Sequence, residues 1–162
     1  MKLKWRVSAI LTLVTVLLLA LSGCIIADRV TGSAFRVQGD SMTPSIKSGT
    51  IVTIDKNAYK TSEPERGDII IFFKSDINYV RRVIGLPEEQ IQIKAGLVYV
   101  NGVKLDEPYI RQGAMTEPEG SFVVPDAHVF VMCDNRDNVA PHDSRTMGFV
   151  PVSDIKGKIN QG

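Results

Sequence analysis

Leu97-Val98-Tyr99-Val100-Asn101-Gly102-Val103-Lys104-Leu105 places alternating apolar residues on both sides of an Asn-Gly pair. Asn and Gly tolerate the positive φ that both central residues of a type I′ turn require, and the twist of that turn matches paired strands. The stretch therefore predicts a two-residue β-hairpin. Its neighbours read the same way. Thr50-Ile51-Val52-Thr53-Ile54 is rich in β-branched residues and follows the turn signal Ser48-Gly49. Arg66-Gly67-Asp68 leads into Ile69-Ile70-Ile71-Phe72-Phe73, an apolar run too short for a free-standing helix and suited to a buried strand. Residues 79–84 form another strand candidate, stopped by Gly85-Leu86-Pro87, and residues 127–132 a further one. Residues 111–121 carry Gly113, Pro118 and Gly120 and read as a surface loop. No amphipathic helix of three turns is evident after the N-terminal segment. The fold class expected is mainly β, a curved antiparallel sheet or partly closed barrel.

That N-terminal segment differs from the rest. It opens with Lys2, Lys4 and Arg6, and residues 7–27 carry no charge. At about 1.5 Å per residue the run spans about 31 Å, enough for a hydrocarbon core of about 30 Å. The basic end stays in the cytoplasm, so the remainder faces outward. Two readings fit: a retained transmembrane anchor over residues 1–27, or a lipoprotein-type signal, because Leu21-Ser22-Gly23-Cys24 resembles a lipobox. The apolar run continues past Cys24 through Ile25, Ile26 and Ala27, which favours the anchor. Either way residues 28–162 form an extracytoplasmic domain tethered to a membrane.

Of the 162 residues, 19 are Lys or Arg and 18 are Asp or Glu, a net charge of +1 that argues against nucleic acid as the main partner. Cys24 and Cys133 make neither a disulfide framework nor a zinc site. No metal cluster or phosphate-binding glycine loop is present, so no metal and no cofactor is expected.

Ser41 lies in Gly39-Asp40-Ser41-Met42-Thr43-Pro44, where small residues let a substrate approach the backbone and Pro44 stiffens the end of the segment. Alone, a serine in such a segment is ordinarily a turn residue. Other blocks accompany it: Arg66-Gly67-Asp68-Ile69-Ile70, then Tyr79-Val80-Arg81-Arg82-Val83-Ile84-Gly85-Leu86-Pro87, then Asp134-Asn135-Arg136-Asp137-Asn138 with Asp143-Ser144-Arg145 and Gly148-Phe149-Val150-Pro151. Together, in this order, they resemble the blocks of the type I signal peptidase (leader peptidase) family, and the resemblance runs from the N-terminal segment to Lys158.

The resemblance implies a single-pass membrane serine endopeptidase that removes signal peptides from exported preproteins through a Ser–Lys dyad. Its fold would be a signal-peptidase-type antiparallel β domain behind one N-terminal transmembrane helix. Ser41 falls at the nucleophile position. The backbone N–H of Ser41 would donate to the developing oxyanion. Phe35, Val37 and Met42 are candidates for lining shallow substrate pockets, and serve equally well as ordinary core. Arg82, Asp134, Asn135, Arg136, Asp143, Ser144 and Arg145 match the family's structural signature. Expected partners are signal peptides, membrane lipid and, in an accessory role, secretion or pilus machinery.

The sequence departs from the family where the proton is handled. Arg81 stands where the general-base lysine is expected. Freeing a neutral base at pH 7 costs about 1.36 kcal/mol per pKa unit, roughly 4.6 kcal/mol for lysine and roughly 7.5 for arginine. Burial supplies shifts of the size lysine needs, whereas arginine keeps its charge and offers no acceptor. The last block has Cys133 in place of a glycine. It has no serine after Asp137-Asn138, and it is lengthened as Val139-Ala140-Pro141-His142. Two function classes are open. One is a peptidase with a substitute base, His142 or Lys74. The other is a weak or inactive homologue acting as an accessory or chaperone in surface-protein or pilus assembly. Cys133 as a nucleophile is disfavoured, because a lone cysteine ending an apolar strand is ordinarily a small core residue. Only about 46 residues separate Pro87 from Asp134, which leaves no room for the second β domain that larger members insert there.

Overall fold

The structure is a computed structural model that describes residues 33–137 and 141–160. The expected N-terminal anchor and Cys24 lie outside the described residues, as do Asn138, Val139 and Ala140. Among the described residues no helix is long and apolar enough to cross a membrane.

Among the described residues eleven strands build two antiparallel sheets. The larger sheet contains β1 (Ser33–Arg36), β2 (Ile51–Asp55), β3 (Ile69–Lys74), β4 (Ile77–Gly85), β9 (His128–Met132), β10 (Val150–Pro151) and β11 (Ile155–Asn160). They are ordered β1-β2-β11-β3-β4-β9-β10. The smaller contains β5 (Gln90–Lys94), β6 (Leu97–Val100), β7 (Val103–Lys104) and β8 (Gly120–Val123), ordered β7-β6-β5-β8. The short helix α1 (Ser144–Met147) follows β9.

Why β3 reads as an unbroken apolar run is visible in its packing. Ile69 and Ile71 enter one cluster with Val37, Met42, Ile46, Val52, Ile54, Val80 and Ile159. Ile70 and Phe72 enter another with Val83, Val129, Val131 and Val150. Alternate side chains leave opposite faces of a strand, so burial on both faces removes the polar half of the alternation. The Asn101-Gly102 hairpin forms as the sequence predicts, with φ of +50° and +80° and Val100 paired to Val103.

The large sheet has β1 and β10 as its edges and curves so that β1, β2, β11, β3 and β4 pack around one core cluster, in keeping with a curved antiparallel sheet. One expectation is corrected. The stretch between Pro87 and Asp134 holds a whole four-stranded sheet rather than one hairpin, and its last strand begins inside the expected loop, at Gly120. That sheet is not a separate domain. Ile91, Ile93, Val98 and Val100 share one core cluster with Ile84, Phe130 and Met132 of the large sheet.

Candidate active site

Ser41 sits just after β1, in a turn that the backbone holds closed. Thr43 donates from both its N–H (3.1 Å) and its hydroxyl (2.7 Å) to the Asp40 carbonyl, and the Ile46 N–H donates to the Met42 carbonyl at 2.8 Å. That spacing turns Met42 and Ile46 toward the same side, where both are buried in the core. Gly39, with φ of +79°, supplies the positive φ at the entrance to the turn. Its N–H donates to Ser48 Oγ at 3.1 Å.

A second segment clamps this turn from outside. The Asn135 N–H donates to the Ser41 carbonyl at 3.0 Å and Asn135 Nδ2 donates to the Asp40 carbonyl at 3.1 Å. Asn135 is held in place by its two flanking residues. Arg82 forks onto Asp134 at 2.8 and 2.6 Å, and its guanidinium lies 4.1 Å from the Tyr109 ring centre. Arg136 Nε donates to the Cys133 carbonyl at 2.8 Å, while its fork reaches Glu107 and Thr116. Asp143 caps α1, accepts the Cys133 N–H at 2.9 Å and pairs with Arg145 at 2.7 Å. Burial alone would raise the Asp143 carboxyl, but the Arg145 guanidinium and two backbone N–H donors hold it below the ordinary carboxylate value. Ser144 Oγ accepts the Val131 N–H at 2.9 Å and so ties α1 to β9. These residues thus bond to one another and to the Asn135 segment that clamps the Ser41 turn.

Arg81, on β4, reaches Ser41 directly. Its Nη1 donates to Ser41 Oγ at 2.9 Å and to the Val80 carbonyl at 2.6 Å, and its Nε donates to the His142 carbonyl at 2.8 Å. The guanidinium lies 5.3 Å from the Tyr79 ring centre. Arg81 is 6% exposed. Here the guanidinium can only donate, so Ser41 Oγ is an acceptor and its proton has no base at that contact.

Neither substitute base takes Arg81's place. His142 is exposed, and it is its backbone carbonyl, not its imidazole, that reaches the site. Lys74 Nζ donates to the Met147 carbonyl at 2.6 Å, at the far end of the β3–β4 ladder from the Ile70–Arg81 pair. Cys133 is fully buried, and burial pushes its thiol up to about 12, which makes it an inert core residue.

A cleft of about 470 Å³ opens beside Ser41 and Arg81, walled by Phe35 and Val37 on one side and Ile77, Tyr79 and Val80 on the other. Phe35 and Val37 line it, and both also pack on the core cluster beneath. Met42 does not, because the turn directs it into the core. Pro44 is exposed. Arg36, Gln38, Asp76 and Asn78 complete the wall without having been singled out in the sequence. Tyr79 was named there only as the start of its block, two positions before Arg81 on the same strand.

A family model described as signal peptidase, peptidase S26, matches residues 6–161 of the chain. Signal peptidase I of Bacillus caldolyticus is 39% identical over 142 residues, 79% of this chain and 77% of that one. Signal peptidase I S of Bacillus subtilis is 36% identical over 132 residues, 75% of this chain and 71% of that one. A crystal structure of a signal peptidase I from Enterococcus faecalis superposes with a TM-score of 0.53 at 28% identity, covering 61% of this chain and 98% of that one.

Proposed function

The chain belongs to the signal peptidase family, and from that premise we propose that it binds the signal-peptide region of exported proteins in the cleft beside Ser41 while Arg81 keeps Ser41 from cutting it. The observation that carries this reading is the 2.9 Å hydrogen bond from Arg81 Nη1 to Ser41 Oγ. General-base attack needs a neutral acceptor near the serine proton. A guanidinium stays charged and presents only donors, so the contact that would activate the serine in the family occupies its oxygen instead.

Binding does not need that base. Among the described residues strand β1 has a partner on one side only. The first half of β4 likewise has no described partner on one side, because β9 joins it only from Arg82 onward. Both free edges lie at the cleft, and an extended peptide can hydrogen-bond to such an edge as an added strand. Phe35 and Tyr79 offer apolar walls for alternate side chains. With residues 7–27 as membrane anchor, the cleft faces the outer side of the membrane. The protein then serves as an accessory to secretion or to the assembly of surface structures such as pili.

The test is binding of a fluorescent peptide that spans a signal peptide and the first mature residues, using the full-length chain in detergent, followed by mass spectrometry of the peptide. The reading predicts saturable binding with the peptide recovered intact, and binding weakened at least tenfold by Phe35→Asp. Absence of binding, or recovery of a peptide cut after the signal region, would contradict it.

A further inference from the structure

We propose that the Ser41–Arg81 site is a receptor for the free C-terminal carboxylate of an extended peptide, the group that a released signal peptide carries and an uncut precursor lacks. This rests on the peptide-binding reading of the cleft and names which end of the ligand the site recognises.

Among the described residues four arginines are buried: Arg81, Arg82, Arg136 and Arg145. Three of them have a carboxylate partner, Arg82 with Asp134, Arg136 with Glu107 and Arg145 with Asp143. Among the described residues Arg81 has none. Its Nε and Nη1 meet only neutral oxygens, the carbonyls of His142 and Val80 and the hydroxyl of Ser41, and its Nη2 meets no described acceptor. A buried cation without an anion is costly, and a carboxylate is the group whose planar geometry fits a guanidinium fork. Arg81 lines the cleft, so an anion entering the cleft can reach it. Ser41 stands beside it with a hydroxyl proton that no described base accepts, a second donor for the same carboxylate. The charged residues around the cleft are Arg36, Asp76 and Arg81, two cations to one anion.

The orientation follows from charge. A peptide running along the cleft and ending at Ser41 places its terminal carboxylate on Arg81. An uncut chain offers a neutral amide at that point, and a peptide entering by its N-terminus brings an ammonium that the guanidinium repels. An arginine at position 81 thus adds, to the binding of an uncut chain, a tighter recognition of the cut end. The ligand is supplied by endoproteolysis carried out elsewhere.

Three peptides of one sequence, the last residues of a signal peptide ending in alanine, test this on the full-length chain in detergent. One carries a free C-terminal carboxylate, one a C-terminal amide, and one continues past the cleavage point. The free acid should bind at least tenfold more tightly than the other two, about 1.4 kcal/mol. That preference should shrink with added salt, vanish in Arg81→Met and persist in part in Arg81→Lys. Equal binding of all three peptides would overturn the carboxylate proposal and leave the peptide-binding reading standing. A preference that survives Arg81→Met would also overturn it, since another group would then hold the carboxylate. If no peptide binds, both fall.

Discussion

Ser41 Oγ accepts a hydrogen bond from Arg81 at 2.9 Å, and the proton in that bond belongs to the guanidinium. The sequence already named both residues. It did not name the Val80 and His142 carbonyls that hold the guanidinium in place, because backbone acceptors leave no trace in residue identity. Asp143 shows the opposite case, a buried charge whose partners are complete. Its carboxyl lies below the ordinary value despite burial, because Arg145 and the backbone donate to it. A carboxyl with a depressed folded value adds stability that is present above its unfolded value, about 3.9, and lost as pH falls through the folded value. Asp143→Asn should therefore cost about 3 to 5 kcal/mol at pH 7, as expected for breaking a buried pair. The gap to the unaltered protein should narrow below about pH 4, where the native carboxyl also protonates. Denaturant unfolding at pH 7 and pH 3 checks this, and a gap that is constant across that range would show that Asp143 is not the titrating group.

At the scale of elements, β11 decides how the large sheet is built. It runs between β2 and β3, and its register against β3 slips between Ile155 and Gly157. At Gly157 the neighbouring strand comes so close that an added Cβ would lie 2.5 Å from the Asp55 carbonyl oxygen and 2.6 Å from Ile54 Cγ2. Backbone cannot yield there as a side-chain tip can. Gly157→Ala should lower stability by about 1 to 3 kcal/mol, the usual range for overpacking. The unfolding midpoint measures it, and an unchanged midpoint would mean that the strands separate without penalty. Strands β2, β3, β4, β6 and β9 were legible because each is a short run of β-branched or apolar residues between turn signals. The hairpin was legible because Asn101-Gly102 fits only a narrow set of turns. By contrast, β11 was hidden by its own glycine, which reads as a break until β2 is seen beside it. Four-residue β1 and two-residue β10 are too short to show a period. The β5 strand, Gln90-Ile91-Gln92-Ile93-Lys94, does alternate, and its signal was available. The cleft depends on the placement of β1 opposite the start of β4, a long-range arrangement that no local pattern carries.

For the molecule as a whole, the family was legible in the sequence because its blocks are short, chemically specific and in order. The second sheet was not, since its core is not its own. Phe130 of β9 packs 5.0 Å from the Phe122 ring and 6.1 Å from the Phe149 ring, joining side chains from both sheets. A sheet that borrows its core leaves no domain-sized hydrophobic content of its own to read. The fold thus keeps the contacts that position the Ser41 turn: the Arg82–Asp134 fork, the Asn135 clamp and the Asp143–Arg145 pair. Arg81 stands where the residue that would carry the proton is expected, and the most direct test places a lysine there. Cleavage of a full-length precursor should be measured with the detergent-solubilised natural protein, with Arg81→Lys and with Arg81→Lys combined with Ser41→Ala. The account predicts no cleavage by the natural protein, cleavage at the signal-peptide junction by Arg81→Lys, and none when Ser41 is also removed. Cleavage by the natural protein that disappears in Ser41→Ala would contradict it.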